Sequence, residues 1–479
     1  MNYLAAIVVF ASIPIAAGAQ PSAVAQPAPQ PSPPVHHAVS NVSGAQTAFD
    51  RGLLDYYGYN PEAAEHEFYT AADLDPHCAM AYWGIALSNA PNLNVPATDD
   101  RDQQAREAIA QAKTREVNAS AEDRALIDAA AARFDASTKA SPSALQVAYR
   151  DALARIASAY PDDPDAVALY AEAALYVAVG DRDYDAGASQ RLAQKARVAA
   201  VLPYFQASLA KFPNHVGLLH FYIHAAQMAG TSQSAVAAAN RLAAFTLPPE
   251  DSHLTHMPGH TYFDVGMYDA GLDVGRRSVA MDEADFACCH PGYYSAPRYY
   301  HEHNVSFLLY ALTQTGHLPE AVVVARQADN PNFLAKQLVA ASDWQGVLAI
   351  PYQRGKNTTI AFARGLAYAK IGDVAQAKRS LAEIPNAPAG SPFGLATTAA
   401  MRNTLAGEIA IAQHDDVKAL QRLTAASASA DTLEKLGGAE MPALYYYSPH
   451  LALAELASRL GKIEVAKAAL QAELVAAPH

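Results

Sequence analysis

From Phe49 onward, apolar and polar positions recur at helical spacing, in short alanine-rich stretches separated by Pro or Gly. Gly52, Ala64, Phe68, Ala71 and Pro76 follow one another at intervals of 12, 4, 3 and 5 residues. These are positions 8, 20, 24, 27 and 32 of a 34-residue helix–turn–helix repeat. Small residues at positions 8 and 20 let the two helices approach closely. The aromatic at 24 fills the groove to the next repeat, and the proline stops the second helix. The following repeat opens with Tyr82, Ile85 and Ala86. The register returns at Pro161 with Val167, Tyr170 and Ala171, and at Pro213 with Leu219, Tyr222 and Ile223. It returns again at Gly365, Tyr368, Ala377 and Leu381, and last at Ala466, Leu470 and Pro478.

Such recurrence predicts an all-α chain, a tetratricopeptide-repeat (TPR) α-solenoid in which each helix pair buries its apolar face only against its neighbours. Two stretches break the register: residues 282–297, which carry Cys288, Cys289, Pro291 and Gly292, and the region near Lys356. Both read as loop insertions, and long insertions in a rigid scaffold are often functional.

The composition agrees with a repeat array. The chain has 479 residues, too many for one compact core. Hydrophobic residues make up 51% and charged residues 17%, the balance of a folding chain. The net charge is −13 and no basic stripe appears, which argues against nucleic acid as a partner. Three cysteines exclude a disulfide framework. Residues 4–17 form an apolar h-region ahead of Ala17-Gly18-Ala19, a small-x-small cleavage site, with Ala23-Val24-Ala25 as an alternative. The n-region lacks Lys and Arg. The expected organisation is a signal peptide at 1–19 and a Pro/Ala/Gln-rich linker at 20–44. An N-terminal and central repeat array follows at 45–340, with a histidine-rich region at 215–310, and a C-terminal array at 341–479. His36 and His37 fall in the linker and read as solvated. The protein is expected in the periplasm or outside the cell, with no membrane span once the signal is removed.

Candidate chemistry concentrates in the histidines. His220-Phe-Tyr-Ile-His224 and His253-Leu-Thr-His256-Met-Pro-Gly-His260 are followed by His301-Glu-His303-Asn304. His220 and His224 share a helix face. His256 and His260 repeat that spacing 36 residues later, close to one repeat, so the two pairs are expected side by side on successive first helices. His303 is expected to open the next first helix, from Asn304 to Thr315. All would then converge on the groove of the superhelix. Pro258 disturbs this alignment, because proline is tolerated in a first helical turn but breaks an interior, so a helix should start near Met257.

The expected metal ligands are His220, His224, His253, His256, His260 and His303, with His215 and His301 as further first- or outer-sphere candidates. Imidazoles without paired carboxylates suit copper, zinc, iron or nickel, not calcium or magnesium. Five or six of them exceed one tetrahedral site and suit two metals with about three imidazoles each, or one metal with supporting groups. Export and the nearby Met257 favour copper, with zinc or iron as alternatives. Glu302 and Asp264 are the nearest carboxylates able to act as acid or base, and Tyr222 is a candidate for orienting a substrate or carrying protons. The same histidines also suit a hydrogen-bonded polar seam between repeats. His290 beside the two cysteines is a separate thiol-site candidate.

Residues 49–91 and 215–320 resemble a bacterial family of exported or envelope TPR-domain proteins. The resemblance is carried by Asp75-Pro-His-Cys-Ala-Met-Ala-Tyr-Trp-Gly84, by His220 to His224, by Ser252-His253 to His260 and by His303-Asn304. Two positions depart from it: Gln227 stands where members often have an acid, and Val274-Gly275 where they often have Asn. The resemblance implies a TPR fold, and no particular activity. The expected function is a metal-dependent oxidoreductase acting on a small molecule. The alternative is a TPR scaffold that binds a peptide or protein partner in the cell envelope, with structural histidines.

Overall fold

The computed structural model describes residues 30–31, 35–180, 188–288, 295–386, 391–436 and 446–476. The expected signal peptide, Cys289, His290, Pro291 and Gly292 lie outside the described residues. Twenty-four α-helices follow in order among the described residues. The first nine are α1 (Ser43–Tyr57), α2 (Pro61–Leu74), α3 (Ala79–Ser88), α4 (Asp99–Arg115), α5 (Ala121–Arg133), α6 (Pro142–Ala159), α7 (Pro164–Val179), α8 (Ala188–Ala199) and α9 (Leu202–Lys211). The central segment holds α10 (Val216–Ala229), α11 (Val236–Ala243), α12 (Ser252–His256), α13 (Pro258–Asp264), α14 (Tyr268–Cys288), α15 (Ser295–Gln314) and α16 (Leu318–Gln327). The last are α17 (Pro331–Ala340), α18 (Trp344–Ala349), α19 (Thr358–Lys370), α20 (Val374–Glu383), α21 (Pro392–Ala412), α22 (Asp416–Lys435), α23 (Pro449–Arg459) and α24 (Ile463–Ala476). Neighbouring helices pack as pairs and pairs stack, which is the α-solenoid expected from the register. Among the described residues no helix is long and apolar enough to cross a membrane.

The register positions do what their chemistry requires. The Phe68 ring is fully buried between Gly52 and Gly84. A Cβ on Gly52 would lie 2.9 Å from that ring, and one on Gly84 only 2.4 Å. Helices also start where the sequence signals them. Asn60, Thr98, Ser120, Ser141, Asp163 and Asp343 each accept a backbone N–H at a helix N-terminus.

Two expectations are corrected. Residues 282–288 are not loop: α14 continues through them, with Asp282 and Asp285 buried. α15 begins at Ser295, so His303 stands inside a helix and does not open one. The region near Lys356 is the connection between α18 and α19, as expected.

The array does not run as a simple spiral. The first repeat packs back onto the fifth, where α1 meets α10. Tyr57, at the end of α1, is fully buried against Phe221, and the chain then turns through Gly58, Tyr59 and Asn60. Tyr59 adopts a left-handed backbone (φ 54°), uncommon for a large side chain, and its ring stacks on Phe221 at 5.3 Å between centroids. Asn60 Nδ2 donates to the Glu250 carbonyl at 3.1 Å, and the Tyr300 hydroxyl donates to the Tyr59 carbonyl at 3.0 Å. The turn is thereby tied to the segments before α12 and within α15.

Gly217 makes this closure geometrically possible, because a Cβ there would meet the Tyr57 ring at 2.6 Å. The ring cannot yield easily, since its hydroxyl donates to Asp165 Oδ1 at 2.5 Å. Gly217→Ala is therefore expected to lower stability by roughly 2 kcal/mol through overpacking, despite alanine's better helix propensity. Denaturant titration with the melting temperature checks it, and an unchanged or raised stability would contradict the closure.

Candidate metal centre

Three first helices deliver the imidazoles. α10 places His220 and His224 on one face, with ring centroids 4.9 Å apart. α12 and α13 supply His253, His256 and His260. Pro258 sits at the first position of α13 and removes one backbone donor, yet Met257 stays helical (φ −52°, ψ −39°), so the two helices are almost continuous. The expected break is thus a slight one, and His256 and His260 still share a face, with Nε2 atoms 3.0 Å apart. α15 brings His303, whose ring lies 4.6 Å from His256 and 5.5 Å from His260.

The six group as two triads, His220/His224/His253 and His256/His260/His303. Within each, one nitrogen per residue lies within 4.8 Å of the others. The triads adjoin: the His253 and His256 rings are 6.0 Å apart, and those of His224 and His260 6.1 Å. His220, His224, His253, His256 and His260 are buried and His303 is partly buried. The turn at Tyr59 covers the first triad, its ring 4.7 Å from His220 and 5.9 Å from His224. Phe307 floors the second, 4.2 Å from His256 and 4.6 Å from His260. The cluster is consequently enclosed and not laid open in a groove.

Electrostatics keeps five of the rings neutral. Desolvation pushes His220 and His303 down to about 4 and moves His253, His256 and His260 well below the ordinary imidazole range. Neighbouring imidazoles add to this for the three from α12 and α13. Each of these five rings then has one N–H and one lone pair at neutral pH. His220 settles which is which: its Nδ1 lies 2.6 Å from the Tyr57 carbonyl, which can only accept. Nδ1 therefore carries the proton, and the Nε2 lone pair is buried without a partner. This is the outer hydrogen bond that orients metal-bound imidazoles. His253 Nδ1 and His260 Nδ1 are likewise buried without a partner. A buried polar atom left so costs roughly 1–3 kcal/mol.

The other candidates are placed elsewhere. Glu302 is exposed to solvent, away from the buried triads. Tyr222 points into repeat packing, its hydroxyl held by Gln206 at 3.1 Å and donating to Ser234. Asp264 accepts from the Ser232 hydroxyl at 2.6 Å, and burial raises its carboxyl to about 6. His301 faces α14, with Nδ1 3.2 Å from Asp282 Oδ2. His215 caps α10 by accepting from Leu218 N, and its Nε2 lies 3.1 Å from Asp165 Oδ1. Sequence reasoning missed Tyr57, Tyr59, Asn94 and Phe307 as neighbours of the cluster. Asn94 Nδ2 lies 3.2 Å from both His253 Nε2 and the Tyr300 hydroxyl, yet it is 159 residues from His253 in the chain. Only Phe307, one helical turn after His303, carried a sequence signal.

His37 is also corrected. It is not solvated but packed against the N-termini of α5 and α7. Its Nε2 lies 2.8 Å from Asp123 Oδ1, and its Nδ1 3.6 Å from Asp163 Oδ2 and 3.9 Å from Asp165 Oδ2. Burial alone would lower its pKa, but the three carboxylates prevail and raise it to about 10. A doubly protonated ring among carboxylates makes this group an ion-pair clasp.

The comparisons with known proteins add no function. No protein-family model matches the chain, and no curated protein does. Similar solved structures include a tetratricopeptide repeat protein from Parabacteroides merdae, at 12% identity and TM-score 0.30, covering 66% of this chain and 98% of that one. The TPR domain of P58(IPK) matches at 11% identity and TM-score 0.23, covering 83% and 98%. The Cut9–Hcn1 hetero-tetramer of the APC/C matches at 14% identity and TM-score 0.27, covering 82% and 76%. The repeat assignment rests on the helix pairs and their register, not on these values.

The clasp yields a pH prediction. His37 has a folded pKa near 10 against about 6.5 when unfolded, so the folded state binds the extra proton between these values. Its contribution is complete below about pH 6.5, declines as pH rises, and is lost above about 10. Wild-type stability should fall across that window more steeply than that of His37→Gln, which should itself lose roughly 3 kcal/mol at pH 6. Urea titrations at pH 6, 8 and 10 check this; parallel pH profiles would contradict it.

Proposed function

We propose that the protein binds two transition-metal ions, one on His220/His224/His253 and one on His256/His260/His303, and acts as an exported metal-dependent oxidoreductase on a small molecule. The observation that carries this reading is the pair of adjoining three-imidazole groups, above all His220, whose proton is fixed on Nδ1 by the Tyr57 carbonyl while Nε2 has no partner. A polar seam would satisfy its nitrogens internally, whereas partnerless nitrogens on His220, His253 and His260 are those of a ligand set.

The donor set favours copper over zinc or iron. All six donors are imidazoles, no carboxylate joins either triad, and aromatic rings enclose the site. Two such ions side by side would supply paired one-electron exchange. The chain's own part is to hold five of the rings neutral, fix the orientation of His220 from Tyr57, exclude water with Tyr59 and Phe307, and place Asn94 beside His253. A TPR scaffold for a peptide or protein partner remains the second reading. The observation that favours it is the last helix, where Ile463, Leu470, Leu474 and Val475 are exposed.

Elemental analysis of protein purified from copper-replete cells is expected to find about two equivalents of copper per chain. His224→Ala and His260→Ala, each checked for folding by circular dichroism, should each fall to about one equivalent or less. Protein that is free of metal, with a melting temperature indifferent to chelators and to added copper, would overturn the reading. A stoichiometric co-purifying protein in place of metal would establish the scaffold role.

A further inference from the structure

Asn94, in the α3–α4 connection, stands where the first triad meets the opening repeats. Its backbone is pinned by Asn92, whose Oδ1 accepts from Asn94 N at 2.8 Å and from Val95 N at 2.9 Å. Its side chain reaches His253, whose ring lies against that of Tyr300 with centroids 4.3 Å apart. Both rings are buried.

The donors in this group follow by elimination. A carbonyl can only accept, so the Tyr300 hydroxyl directs its one proton to the Tyr59 carbonyl at 3.0 Å. Toward Asn94, 3.2 Å away, the same hydroxyl oxygen then accepts, so the amide atom facing it is Nδ2. Nδ2 also lies 3.2 Å from His253 Nε2, and an amide nitrogen only donates. Nε2 is therefore an acceptor. Desolvation keeps the ring neutral, with a single N–H, so the proton of His253 stands on Nδ1. Nδ1 is also the nitrogen buried without a partner. Within one triad, His220 has an uncovered lone pair on Nε2, whereas His253 has its lone pair covered by Asn94 and an N–H with no acceptor. A buried N–H left so is costly, and a change of tautomer removes it.

We infer that Asn94, oriented by Tyr300, is the positioning residue of the first triad: it holds the proton of His253 on Nδ1, and a half-turn of its amide offers the Nδ1 lone pair to a metal ion. After the turn, Oδ1 accepts from Nε2–H, and the Tyr300 hydroxyl donates to Oδ1 in place of the Tyr59 carbonyl. The ring stays neutral throughout, because the proton that leaves Nδ1 is replaced by one on Nε2. Asn94 also lines a cavity of about 720 Å³, which gives the amide room to turn. An acceptor on the far nitrogen is what orients a metal-bound imidazole. The offer to a metal rests on the two-metal reading; the position of the proton in the metal-free protein does not.

NMR of the full-length protein with isotope-labelled histidine reads the tautomer, the His253 signals being those lost in His253→Gln. Metal-free wild type is expected to carry the proton on Nδ1, and copper(I)-loaded protein on Nε2. Asn94→Asp, whose carboxylate only accepts, should move the proton to Nε2 without metal and bind copper(I) at the first triad at least about tenfold tighter. Tyr300→Phe adds no charge and frees the amide to turn, so both tautomers should appear. It keeps the test valid should Asn94→Asp fail to fold. A metal-free wild type protonated on Nε2, or a Tyr300→Phe spectrum like that of the wild type, would overturn the inference. Copper uptake that leaves the proton on Nδ1 would likewise refute the half-turn while keeping the centre. The expected tautomers in a chain that takes up no copper would uphold the hold of Asn94 on His253 and refute the centre.

Discussion

The residue on which the rest depends is Tyr57, which holds two networks at once. Its carbonyl accepts from His220 Nδ1 and its hydroxyl donates to Asp165. The first bond joins the opening repeat to the fifth and fixes the tautomer of a histidine. The second anchors the same ring to the N-terminus of α7, where His37 and His215 also converge on Asp165. Because both bonds are buried, neither can be exchanged for water without a penalty comparable to the bond itself. The closed array and the chemistry of the cluster therefore share one support.

This arrangement departs from the usual economy of a repeat protein. In an open solenoid each pair contacts only its neighbours, and stability is close to a sum of local terms. Here the Tyr57–Asn60 turn adds contacts separated by more than 150 residues, such as Tyr57 with His220 and Asn60 with Glu250. The left-handed backbone at Tyr59 is a local cost that these contacts hold in place. In return, five imidazoles lose water almost completely, and desolvation keeps His220, His253, His256 and His260 neutral. The same burial that makes them poor bases makes them good ligands.

Opposite charge logic operates only a short distance along the same network. His37 and the triad residues His220 and His303 are all shielded from solvent, yet His37 is driven cationic and the other two neutral. The difference lies in the neighbours: three carboxylates surround the first, while imidazoles, aromatic rings and a carbonyl surround the others. Arg133 is the third case, a permanent cation that cannot shed its proton and has an aromatic face, one carbonyl and the buried Glu172 for company.

The repeat register was legible because it is local. Gly52, Ala64 and Phe68 act within one helix pair, and their spacing alone implies the packing in which the Phe68 ring fills the space beside two glycines. The histidine pairs were legible for the same reason, since a four-residue step shares a helix face and a 36-residue step matches adjacent repeats. The continuity of α14 through residues 282–288 was hidden by the register break, and the mild effect of Pro258 depended on a helical Met257 that no spacing reports. The sequence by itself determined a stack of helix pairs and which imidazoles would neighbour one another. Only the tertiary structure decided that the first repeat folds over them, that His37 is a buried cation, and that Asn94 meets His253. These depend on contacts between distant segments, whose geometry accumulates over many repeats and leaves no periodic trace in the chain.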